Sequence, residues 1–140
     1  MKIRTARAED APVLAQLVVH LGYPSTPEEL PPRLTVVQGQ GDTVLVAEDD
    51  TGKVVGFSAL HLMRLFHQRK PLGYITAFVT DPAAQRTGVG RRLLEASEAW
   101  ARERGCYRLT VTSAEQRAGA HAFYESCGYP FTGRRFGKDL

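Results

Sequence analysis

A chain of 140 residues, 43% hydrophobic and 24% charged, is long enough for one compact domain with a real core and too short for two ordinary ones, so a single domain over 1–140 is expected. A net charge of +3 favours an anionic ligand without requiring one, and the lack of a dense basic stripe with interleaved aromatics argues against a nucleic-acid partner. No stretch approaches the roughly 20 apolar residues of a membrane span, no apolar run follows the basic N-terminus, and Cys106 and Cys127 form neither a CxxC pair nor part of a His-flanked zinc site; a soluble, cytoplasmic, metal-free protein is expected.

In chain order, Lys2-Ile3-Arg4 reads as a short edge strand. Asp10-Ala11-Pro12 then starts a helix from about 10 to about 21, carrying Leu14, Leu17, Val18 and Leu21 at helical spacing until Gly22-Tyr23-Pro24-Ser25 breaks it. Thr26-Pro27-Glu28-Glu29 has capping-box spacing for a second helix, which Pro31 and Pro32 must kink or restart before Leu34 and Val37. Residues 42–48 and 53–62 are β-branched, apolar runs on either side of Asp49-Asp50-Thr51-Gly52, a hairpin signal. A polar connection over 63–70 leads to a buried strand, 73–80, halted by Asp81-Pro82. Val89, Leu93, Ala96 and Trp100 share one helical face, with Arg91, Glu95, Glu98 and Arg102 at salt-bridge spacing on another, up to Gly105. Residues 108–112 alternate as a strand, a short helix covers about 118–126 before Gly128, and 131–136 can supply a last strand, giving the order β-α-α-β-β-β-α-β-α-β.

The segment that carries chemistry is Gln85-Arg86-Thr87-Gly88-Val89-Gly90-Arg91-Arg92, a turn from strand into helix. At a helix start several N–H groups lack intrahelical partners and the peptide dipoles sum to about half a positive charge, which favours phosphate. Gly88 and Gly90 leave room for close approach, and Arg86 and Arg91 can add charge-assisted bonds. A P-loop would need Gly-Lys-Ser/Thr where Gly90-Arg91-Arg92 stands, and a dinucleotide fold would need glycine at Leu93.

Gln85-Arg86-x-Gly88-x-Gly90 resembles the coenzyme A pyrophosphate loop of the GNAT superfamily of N-acetyltransferases. Ala120-His121-Ala122-Phe123-Tyr124, followed by Gly128-Tyr129, is similar to that superfamily's late helix, and Ile3-Arg4-x-Ala6-x-x-x-Asp10 to its first strand and helix. The resemblance covers nearly the whole chain. It implies an α/β fold with a mixed, strongly twisted, mostly antiparallel sheet of about six to seven strands and about four helices, in which the fourth and fifth strands splay apart to take the pantetheine arm of acetyl-CoA. Carried over by motif, Ala77, Phe78 and Val79 would pair with the pantetheine amides, with an N–H near Phe78 polarising the thioester carbonyl. Gln85, Arg86, Thr87, Gly88, Val89, Gly90 and Arg91 would hold the pyrophosphate. Tyr124 would border the coenzyme and protonate the departing thiolate, a role its ordinary phenol suits at neutral pH.

The resemblance further implies direct acetyl transfer to the primary amine of a small molecule or peptide, without a metal, and a homodimer to which 131–136 could contribute. Thr76 stands where many relatives carry the glutamate that deprotonates the amine, and a threonine cannot do this. A water on Thr76 or Ser113, or His61, His67 or Glu48, remains open as the route. A non-catalytic acyl-CoA-binding module on the same fold is the alternative. Tyr23, after the first helix, stands where the superfamily often builds its acceptor cleft.

Overall fold

The sheet is built in chain order from five strands, β1 (Lys2–Thr5), β2 (Thr43–Glu48), β3 (Val54–Met63), β4 (Leu72–Thr80) and β5 (Arg108–Val111). The structure, a computed structural model, describes residues 1–113 and 118–140. The first four strands pair antiparallel and β5 pairs parallel to β4. The β2–β3 turn is as the sequence suggests: the Asp49 carboxylate accepts the N–H groups of Thr51 at 2.9 Å and Lys53 at 3.0 Å, and Gly52 takes a φ of 85° that a side chain would resist.

Helices α1 (Ala11–Val18) and α2 (Leu30–Gly39) cover one face of the sheet, while α3 (Val89–Glu103) and α4 (Ala118–Ser126) cover the other. Successive strand residues point to opposite faces. Val46 and Val79 accordingly pack with Leu14 and Leu17 of α1, and their neighbours Ala47 and Phe78 pack with Leu93 and Trp100 of α3. Ser97 of α3 and Ser58 of β3 meet at 2.9 Å with no exposure, and Ser97 also lies 2.8 Å from the Leu93 carbonyl, so this pair of hydroxyls fixes α3 on the sheet. Pro31 and Pro32 sit in the first turn of α2, where their missing N–H groups cost nothing; they start that helix and do not kink it. The first helix is shorter than expected, closing with a 3₁₀ turn over Val19–Leu21 before Gly22.

The expectation of six to seven strands is corrected to five among the described residues. Residues 131–136 form no strand and are exposed. Their two apolar side chains, Phe131 and Phe136, are five positions apart and would point to opposite faces of an extended strand, so no single apolar face exists to bury. No helix among the described residues is long and apolar enough to cross a membrane.

Candidate active site

The parting of β4 from β5 creates the site. Their register runs from Leu72 opposite Arg108 to Ile75 opposite Val111, whereas β4 continues to Thr80. The backbone direction along this stretch follows from the β3–β4 ladder. Asp81 N–H donates to the Val55 carbonyl at 2.8 Å, and opposed residues alternate between hydrogen-bonded and non-bonded pairs. The register places Val79 opposite Phe57 and Ala77 opposite Ala59, so both direct their backbone groups at β3. Phe78, opposite Ser58, and Thr80, opposite Gly56, direct theirs into the gap. Of the three residues named from sequence, Phe78 therefore offers a free N–H to a ligand there, and Thr80 is a second gap-facing residue that sequence reading passed over.

Beyond Thr80 the chain turns through Asp81, whose carboxylate accepts the Ala83 N–H at 2.9 Å. This bond, with a smaller contribution from the charge of Lys53, holds the Asp81 carboxyl below its ordinary range. Gln85, Arg86, Thr87 and Gly88 are all exposed, and Val89 then drops into the core at 4% exposure, anchoring the start of α3. Arg86 at φ 65° and Gly88 at φ 85° take left-handed backbone, and Arg86 is the one non-glycine residue described that does so. Such a conformation costs an ordinary residue about 1–2 kcal/mol and turns successive N–H groups to one side, which suits an anion. Arg86, Arg91 and Arg92 form no ion pair with any described residue; the Arg91–Glu95 pairing open from sequence is not made. The loop thus carries solvent-facing N–H groups and unpaired cations, a donor set that fits a diphosphate.

The two glycines differ. A Cβ on Gly88 would meet nothing within 4 Å, so its φ is what calls for glycine, whereas a Cβ on Gly90 would press on the ring of Phe123. That ring stacks on Phe78 with centroids 5.9 Å apart and meets Tyr124 edge-on at 5.4 Å. Tyr124 also meets Phe78 edge-on at 6.0 Å and is 9% exposed. Aromatic contacts of this geometry each contribute about 0.5–1.5 kcal/mol beyond burial. They tie α4, and with it Tyr124, to the gap-facing residue Phe78. The Phe123 ring serves this cluster and the front of α3 together.

Among the residues considered for amine deprotonation, Thr76 is exposed and donates to the Ala59 carbonyl at 3.3 Å. Glu48 is committed to an ion pair with Arg4, which also grips Asp10. His67 and Tyr23 are exposed, and the Ser113 hydroxyl oxygen is shielded with no hydrogen-bond partner among the described residues. His61 stands apart: its Nδ1 lies 2.7 Å from a carboxylate oxygen of Asp42, a residue that sequence reading used only as the start of a strand.

The outer edge of β5 has no partner strand among the described residues. A groove of about 1150 Å³ wraps it, lined by Leu109, Val111, Tyr129, Phe131 and Phe136 among others. Burial, followed by the nearby Glu98 carboxylate, pushes the Tyr129 phenol well above its ordinary value.

The family model of the acetyltransferase (GNAT) family matches residues 14–129. Aminoglycoside N(6')-acetyltransferase type 1 from Stenotrophomonas maltophilia is 34% identical over 138 residues, which cover 94% of this chain and 88% of that protein. Glucosamine 6-phosphate N-acetyltransferase 1 from Oryza sativa subsp. japonica is 34% identical over 93 residues, 65% of this chain and 54% of that protein. Among solved structures, an acetyltransferase from Trypanosoma brucei superposes with a TM-score of 0.83 at 26% identity, covering 99% of each chain.

Proposed function

Since the chain belongs to the acetyltransferase (GNAT) family and is an N-acetyltransferase, we propose that it moves the acetyl group of acetyl-CoA directly onto a primary amine of a small aminosugar. The observation that carries this reading is the adjacency of two features on one strand. The stretch of β4 beyond Ile75, with Phe78 and Thr80, has no β5 partner, and it leads into the exposed turn and unpaired arginines at the front of α3. The aminosugar class is supported by the relatives, one named for an aminoglycoside and the other for glucosamine 6-phosphate.

In this reading Gln85, Arg86, Thr87, Gly88, Val89, Gly90 and Arg91 form the pyrophosphate end, Gly90 by admitting the Phe123 ring that sets the height of α4. Phe78 and Thr80 hold the pantetheine arm, flanked by Ala77 and Val79. Acetyl-CoA supplies the activated acyl group. The Phe78 N–H donates to the carbonyl oxygen as it gains charge, a type of contact worth about 3–4 kcal/mol in other enzymes. Tyr124 delivers a proton to the leaving sulfur. Free Cys106 and Cys127 suit a reducing, cytoplasmic setting. A second copy of the chain is the proposed cover for the β5 edge, with exposed Phe131 and Phe136 as its contacts.

Calorimetry with acetyl-CoA and mass spectrometry of an amine panel, including an aminoglycoside and glucosamine 6-phosphate, test the activity. Tight binding with a product 42 Da heavier, the mass of one added acetyl group, is expected, about 42 following from the chemistry of acyl transfer. Absence of acetyl-CoA uptake by folded protein would remove the reading. Sedimentation of wild type against Phe131→Ser/Phe136→Ser tests the dimer, the variant being expected to shift to monomer.

A further inference from the structure

His61, paired with Asp42, lies on β3, one strand away from the gap. Along β3, Leu60 and Leu62 pack toward α3, so His61 between them projects on the α1–α2 face. It stands opposite Tyr74 of β4, one residue short of Ile75, where β4 loses its pairing with β5. Thr76, next in β4, occupies the bulge between these levels. Adjacent strands are about 4.8 Å apart, and His61 stands three residues along β3 from Ser58, the partner of Phe78, so the acceptor amine and one water have to bridge that offset.

The Asp42 side chain is 7% exposed and both of its oxygens are engaged. Oδ1 accepts the Leu62 N–H at 2.9 Å, and Oδ2 lies 2.7 Å from His61 Nδ1. A carboxylate only accepts hydrogen bonds, so Nδ1 donates to Asp42, and in the neutral ring this leaves the lone pair on Nε2. Imidazole geometry turns Nε2 away from Asp42. The His61 side chain is 40% exposed, and its Nε2 has no hydrogen-bond partner among the described residues. A buried carboxylate that fixes the tautomer of a solvent-facing imidazole is the arrangement of a general base.

We infer that His61 is the general base of the acetyl transfer, acting through one water, and that Asp42 is its positioning residue; this deepens the N-acetyltransferase reading and rests on it. The acceptor arrives as an ammonium ion. One N–H bond breaks, its proton passing through the water to Nε2, and the imidazolium is stabilised by Asp42. The neutral amine forms the C–N bond as the C–S bond breaks. The second amine proton leaves to solvent, sulfur takes its proton from Tyr124, and Tyr124 recovers one from solvent. His61 then releases its proton to bulk water, so the sum is amide, thiol and one proton.

Asp42, from the turn ahead of β2, contacts the imidazole, and Tyr74 stands opposite His61 on β4. The Tyr74 hydroxyl lies 2.9 Å from that of Thr112, which in turn accepts the Arg135 guanidinium at 3.0 Å. The full chain is assayed with acetyl-CoA and an aminoglycoside, kcat being followed across about pH 5 to 9. His61→Gln is expected to lower kcat about 100-fold, to abolish the acid limb of the kcat profile, and to leave acetyl-CoA affinity unchanged. Asp42→Asn is expected to lower kcat about ten-fold and displace that limb, with added imidazole restoring part of the rate of His61→Ala. His61→Gln retaining kcat within about three-fold and the same limb would overturn the assignment while leaving the N-acetyltransferase reading intact. Nitrogen-15 spectra of the wild type give a second check that needs no variant: in the neutral ring hydrogen on Nδ1 is expected, and a neutral ring with its hydrogen on Nε2 overturns the assignment. A wild type that takes up acetyl-CoA yet acetylates no amine in the panel overturns the parent reading, and this one with it.

Discussion

Gly90 in the first turn of α3 faces the ring of Phe123 on α4 so closely that a Cβ there would lie 3.1 Å from Cζ and 3.3 Å from Cε1. The ring has little room to retreat, being held between Phe78 and Tyr124. Gly90→Val is therefore expected to destabilise the fold by about 1–3 kcal/mol, and Phe123→Leu in the same chain to recover part of that loss. Urea unfolding of the two single variants and the double variant checks this. Strict additivity would show that the two residues are not coupled.

Gly88 poses a different constraint, since its φ of 85° is accompanied by open space. Gly88→Ala is expected to cost about 1–2 kcal/mol, through the backbone alone, and relaxation of that strain turns an N–H away from the anion. About ten-fold weaker acetyl-CoA binding is the outcome if most of this cost falls on the bound state, with Gly88→Asn less affected because asparagine tolerates left-handed backbone. Calorimetry on the three proteins orders them.

Much of this architecture can be read from residue order alone, because its signals are local. The Asp49–Gly52 turn, the amphipathic face of α3 and the Gln85–Gly90 spacing each depend on neighbours within a turn or two. What escapes such a reading depends on register. The Asp42–His61 contact joins residues 19 apart through the β2–β3 pairing. The outward backbone of Phe78 and Thr80 follows from which β3 residues they oppose. The role of Gly90 required knowing that α4 returns to the front of α3. The missing last strand is a failure of another kind: β-compatible composition at 131–136 lacks the two-residue alternation that would give it a face to bury.

Tyr124→Phe keeps the ring that packs on Phe78 and Phe123 and removes only the hydroxyl. Turnover is expected to fall about ten-fold or more, with acetyl-CoA affinity nearly unchanged. Melting temperature should move little compared with Tyr124→Ala, which opens a cavity in the aromatic cluster. Single-turnover kinetics, which isolate the chemical step, decide the matter, and an unchanged rate there would leave Tyr124 a packing residue.

Asp10 supplies a pH-dependent contribution to stability remote from the gap. Its carboxylate takes two bonds at 2.8 Å from the Arg4 guanidinium and one at 2.7 Å from the Arg7 N–H. The Arg4 bonds, opposed by burial and supported by the Arg7 N–H, hold the carboxyl below its ordinary value. A depressed carboxyl adds stability that is complete above its unfolded pKa, about 3.9, and is lost as pH falls through the lower folded value. Asp10→Ala is therefore expected to cost about 3 kcal/mol at neutral pH, the low end for a broken buried pair because Glu48 still holds Arg4. The gap between wild type and variant should narrow only below about pH 4. Denaturant unfolding at a series of pH values measures both curves, and a gap that already closes between about pH 5 and 7 would show that Asp10 is not the titrating group.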